Sequence, residues 1–204
     1  MTLAAFLSIA VIHLLAAMSP GPSFVVALRT AAAEGFATAT ALAFGFGLGA
    51  LLWAGAAMTG VAVLFDLIPQ LFLALKIVGG LFLIWIALMM WRHAKEPVAL
   101  PESAATPRSP LSAVRYGFLT FAANPKPAVF FAAVFAGLLP PDLPVTWGLA
   151  ILCTVFVNET LWYILVARVF SLPRPRAAYL RFKAAIDRAF GGLIGFFGAK
   201  IALT

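Results

Sequence analysis

The chain has 204 residues, of which 64% are apolar and 10% charged, and its mean hydropathy is +1.06. Soluble domains carry roughly 45–50% apolar and 25% charged residues, so a water-soluble globule is excluded. Several stretches lack any charge over the ~20 residues that a bilayer-crossing helix needs, and the length admits roughly six or seven such spans with almost nothing left for a soluble domain.

In chain order, charge-poor runs and helix breakers predict six membrane helices: Leu3–Thr30, Phe36–Phe65, Pro69–Trp91, Ala113–Leu139, Val145–Phe170 and Ile186–Leu203. The fold class expected is therefore an all-α polytopic membrane protein. Met1 to Ala5 holds no basic residue, so the first hydrophobic stretch is expected to be retained rather than cleaved. Between the third and fourth spans, His93 to Ser112 carries Pro97, Pro101, Pro107 and Pro110 among serines and threonines, which predicts an irregular linker. That linker divides a single transmembrane domain (1–204) into two three-helix repeats, about 1–92 and 113–204.

The formal charge of +7 and the pI near 10.2 come mostly from Lys and Arg gathered around two connections. Arg92, Lys95, Arg108 and Arg115 flank the linker, and Arg168, Arg174, Arg176, Arg181, Lys183 and Arg188 flank the turn between the last two spans. Such clusters mark cytoplasmic loops beside anionic lipid, not a nucleic-acid surface. The turns holding Asp66 and Asp142 carry acids and no base, so both termini are expected outside. The lone Cys153 gives no disulfide framework.

Each half carries a proline pair in its first helix: Ser19-Pro20-Gly21-Pro22-Ser23 in one and Asn124-Pro125-Lys126-Pro127 in the other. Proline removes a backbone donor and clashes with the preceding turn, so two per site predict a break. Ser or Asn before Pro is also a good helix start, with the side-chain oxygen as cap and proline in the first helical position. Three spans per half is odd, so the halves enter the membrane from opposite sides, an inverted repeat of the kind found in secondary transporters. In each restarted helix the first amides, of Gly21 and Ser23 or of Lys126 and Ala128, lack intrahelical acceptors. An anionic group such as a carboxylate suits them, and Gly21 allows close approach.

Intramembrane charges are costly and face the bundle interior. Lys126 sits at the second break, and Glu159, beside Asn158 and a turn before Tyr163, lies at similar depth, so the two could pair. Glu159 is a candidate for proton coupling or for meeting a substrate amine, as against a structural ion pair. His13, two turns before Pro20 on the same face, is a lesser candidate, a packed histidine being the plainer account. Lys76 ranks below Lys126 because it can snorkel to the headgroups. Gly45-x-x-x-Gly49 and Gly191-x-x-x-Gly195 are packing faces, within one chain or across a homodimer.

With Ser19-Pro20-Gly21-Pro22, Gly35, Gly45 and Gly49, Leu75-Lys76-x-x-Gly79-Gly80-x-Phe82-Leu83, and Gly117-Phe118 through Asn124-Pro125-Lys126, nearly the whole chain resembles the LysE/RhtB family of amino-acid exporters. The resemblance implies export of an amino acid or close derivative across the bacterial inner membrane, driven by proton motive force and requiring no cofactor. Phe82 stands where the family has a tyrosine, Ala87 where it often has a glycine, and Pro127 is an added proline. These departures bear on substrate identity.

Two rival classes were weighed. An intramembrane Ser–His hydrolase would need Ser19 or Ser23 beside His13, but the spacing is poor, no orienting carboxylate lies in the first span and there is no Gly-x-Ser-x-Gly. No catalytic residue is therefore assigned. A cation exporter finds few ligands in two His, one Cys and no acidic cluster within the spans.

Overall fold

The computed structural model describes residues 1–19, 21–67, 69–97, 105–140 and 142–203, with the side chains of 61–67, 69–73, 75 and 76 outside that description. Every regular element among them is a helix: α1 (Leu3–Met18), α2 (Pro22–Glu34), α3 (Phe36–Leu67), α4 (Pro69–Arg92), α5 (Pro110–Ala122), α6 (Pro125–Leu138), α7 (Val145–Ser171) and α8 (Pro173–Leu203).

The first and fourth predicted spans are each two helices. α1 and α2 meet at 59°, α5 and α6 at 60°. Proline stands at the first position of both α2 and α6, where its fixed φ favours a start and its missing donor costs little. Gly35, at φ +88°, ends α2 and turns the chain into α3; a side chain there would be strained. Phe36–Gly60 and Val145–Ser171 are each long and apolar enough to cross a bilayer, and counting each bent pair as one span raises the number to four. The last helix begins at Pro173 rather than at Ile186, because Ala, Leu and Arg after that proline are good helix formers that continue into the apolar run.

Small residues decide the packing. A Cβ on Gly45 would run into the backbone of Val114 and Phe118, and one on Gly117 into Leu42, so α3 and α5 lie backbone to backbone. Gly80 meets Gly198 in the same way between α4 and α8, and Gly191 leaves room for Trp91. Both glycine motifs are thus spent inside the chain. Phe46, Phe131, Phe135 and Phe170 fill the centre, while Leu48, Leu52, Leu161 and Leu165 point outward, the inside-out economy of a helix bundle in lipid.

One asymmetry positions the site. α4 packs closely on α6 with Gly79 against Ala133, whereas α2 meets α8 more loosely, with the rings of Phe24 and Tyr179 5.8 Å apart.

Candidate functional site

The two helix breaks touch each other. Asn124 accepts from the Lys126 amide through Oδ1 at 3.0 Å and donates through Nδ2 to Ser23 Oγ at 3.0 Å. It caps α6 as its Asn-Pro sequence predicts, and with its other end ties the second break to the first.

The first break differs from expectation. Ser19 does not cap the restarted helix; α2 begins at Pro22 behind an N-cap Gly21 that offers no side-chain oxygen. The cause is the Pro-Gly-Pro sequence, which leaves residue 22 as the proline that opens the helix. The first-turn amides of Ser23 and Phe24 therefore receive no side-chain cap. In α6, by contrast, Pro125 and Pro127 have no N–H and the Lys126 N–H is taken, so among the described residues it is the first break that presents first-turn amides without a side-chain cap.

Ser19 ends α1 instead, and its oxygens receive Lys126. The Lys126 ammonium donates to Ser19 O at 2.7 Å, to Ser19 Oγ at 2.7 Å and to Ala16 O at 3.4 Å. Ser19 Oγ itself donates to Met90 Sδ at 3.2 Å. The stem of Lys126 lies over Gly21.

Glu159 is almost fully buried, and it meets His13 rather than Lys126: His13 Nε2 stands 3.3 Å from Glu159 Oε2. The two-turn spacing from Pro20 carries His13 to the same cavity, where it stacks on Phe131 at 5.3 Å. His13 Nδ1 has no hydrogen-bond partner among the described residues. Tyr163 closes the cavity wall, while Asn158 turns away to bond Ala10 O at 3.0 Å, a link between α7 and α1. Neither serine bonds His13, whose nearer nitrogen is engaged by the carboxylate. Pro20 and the Lys76 side chain lie outside the described residues.

Two spaces flank Lys126. A small cavity of about 40 Å³, lined by His13, Ser19, Ser23, Asn124, Glu159 and Tyr163, has room for little more than water. A larger one of about 620 Å³ has Gly21, Asn124 and Lys126 at its floor and rises between α2 and the α4–α8 pair to His93, Glu96 and Lys183. That volume is in the range of small-molecule sites. Its walls are mostly apolar, with Phe24, Phe82, Trp85, Ile86 and Met89.

Sequence reasoning missed the mouth of this vestibule. Lys183 donates to Asp187 Oδ2 at 2.7 Å and to the carbonyls of His93 and Ala94 that follow α4, at 3.1 and 3.2 Å. The i,i+4 spacing of Lys183 and Asp187 was the available signal, but nothing local says that the pair reaches another helix.

The family model for LysE type translocators matches residues 14–204. The chain belongs to that family. This LysE type translocator is 33% identical to the threonine efflux protein of Escherichia coli K12, over 98% of each chain, and 32% identical to that of Salmonella typhi, again over 98% of each. The leucine efflux protein of Enterobacter sp. strain 638 is 23% identical, over 90% of this translocator and 88% of that protein. No solved structure matches it.

Proposed function

We propose that the protein exports an amino acid or close derivative from the cytoplasm across the bacterial inner membrane, as a secondary transporter coupled to proton motive force. The efflux named in its relatives supports this reading, and one observation carries it: two broken helices join at the floor of a large vestibule, with a buried His–Glu pair behind them. Irregular backbone at membrane depth is tolerated where it lines a cavity or meets a ligand.

In this reading the six spans form two inverted three-helix halves, with the basic connections cytoplasmic and both termini outside. The vestibule then opens to the cytoplasm between α2 and α8, while α4 against α6 closes the opposite side. Exchanging the two arrangements by rocking one half on the other gives alternating access. The substrate carboxylate meets the open amides of Ser23 and Phe24 beside Gly21, with Lys126 and Asn124 adjoining. Glu159 and His13 take the proton or the substrate amine. The apolar vestibule wall favours a neutral side chain over a basic one.

Proteoliposomes loaded with a panel of amino acids, with and without a pH gradient, test the proposal. Gradient-driven movement of one or more neutral amino acids is expected, lost in Pro22→Ala and Glu159→Gln proteins that still insert. Failure to move any amino acid, or normal efflux by both variants, overturns it.

A further inference from the structure

The C-terminal end of α1 is a cluster of oxygens with too few donors of its own. A helical carbonyl is ordinarily satisfied by the amide four residues on, but the residue four on from Ala16 is Pro20 and the residue four on from Met18 is Pro22, neither of which has an N–H. Ala16 O retains only the turn bond from the Ser19 amide, at 3.2 Å. The end of a helix is also the negative pole of its dipole. In hydrocarbon such an end needs a cation or donor from elsewhere.

It receives one from the other half of the molecule. The Lys126 ammonium reaches Ser19 O, Ser19 Oγ and Ala16 O, and all three of its partners are oxygens of this one helix end. No carboxylate within ion-pair distance shares it among the described residues; Glu159 is engaged by His13. Gly21 eases the delivery, because a Cβ there would stand 3.3 Å from Lys126 Cδ and 3.4 Å from Nζ and would push the lysine stem aside slightly. Lys126 lines both the small cavity and the vestibule, as Gly21 and Asn124 do, so its side chain is part of the partition between them.

We propose that the C-terminal end of α1 is a cation-binding site, kept filled by the tethered ammonium of Lys126, which accepts a free primary ammonium or a small monovalent metal ion when that ammonium is absent. The chemistry is shared by both guests: one positive charge held by two main-chain carbonyls and a hydroxyl, completed by water from the adjoining cavity. The inference rests on the transport reading only for its natural guest, the amine end of a substrate that draws Lys126 away by its carboxylate, which leaves Glu159 and His13 to the proton. Its test reads binding and not efflux, so either can fail alone.

The test uses purified full-length protein in detergent, as wild type and as Lys126→Ala, melted with increasing methylammonium chloride, sodium chloride or choline chloride. Choline, whose quaternary nitrogen carries methyl groups and no N–H to donate to the carbonyls, controls for ionic strength. Lys126→Ala is expected to melt below wild type and to recover saturably with methylammonium, with sodium, or with both. The recovery should be about 5–10 °C with the guest at about a hundred times its dissociation constant. Response to methylammonium alone assigns an ammonium site, and response to sodium assigns a metal-ion site. Wild type should show no response beyond that to choline.

Lys126→Met, which replaces the stem without the charge, fills the partition and should respond less than Lys126→Ala. The proposal is overturned if neither guest stabilises Lys126→Ala beyond choline, if wild type responds equally, or if both variants fail to fold with every cation present.

Discussion

Asn124 is where the two helix breaks are joined, and its two hydrogen bonds can be separated by mutation. Asn124→Ala removes both the cap on the Lys126 amide and the bond to Ser23 Oγ, each 3.0 Å long. Losing the cap costs about 1 kcal/mol and losing a buried neutral hydrogen bond about another 1. Together these predict a loss of about 2 kcal/mol, or roughly 4–8 °C in melting temperature at this chain length. Asn124→Ser keeps an oxygen suited to capping but is too short to reach Ser23, so it should lose about half as much. Ser23→Ala removes the same cross-half bond from the other side. The assay is thermal unfolding of the purified protein across the cycle of Asn124→Ser, Ser23→Ala and the double variant. Because both single changes break one bond, the double variant should melt close to the worse single variant, with a coupling of about 1 kcal/mol. Losses that add to within about 0.3–0.5 kcal/mol, as for independent sites, would refute the claim that this bond joins the breaks.

The buried pair of His13 and Glu159 should respond asymmetrically to removal of either partner. His13→Ala leaves the Glu159 carboxyl buried without its partner, at a cost of about 1–3 kcal/mol or more, whereas Glu159→Gln leaves an amide that can still bond the imidazole. The first variant should melt below the second, and equal melting would contradict the pairing. Among the glycines, Gly45→Ala should cost at least about 1–3 kcal/mol through forced separation of α3 and α5. Gly55, which has nothing within 4 Å of a built Cβ, should tolerate Ala or gain up to about 1 kcal/mol of helix stability. Thermal melts of the two variants decide it; similar losses at both would mean that α3 does not approach α5 this closely.

The sequence by itself determined the solvent, the helices and the places where they break. These are local properties: composition sets the cost of leaving lipid, hydropathy sets the runs, and a proline acts on the turn that contains it. Asn124 was legible as a cap for the same reason, since its oxygen and the amide it bonds are two residues apart. Partners distant in the chain were decided by tertiary structure. Sequence depth placed Lys126 and Glu159 at one level of the membrane, and helix spacing placed His13 on the face of the first break, but neither says how two helices are rotated toward each other. That rotation turned Glu159 to His13, brought Lys126 to Ser19 and aimed Asn124 at Ser23. The glycine faces were legible as contacts but not as contacts with whom, because a small residue records only that something comes near. The vestibule is the extreme case: it is space left where α2 meets α8 more loosely than α4 meets α6, a difference between two arrangements of similar helices that no local pattern encodes.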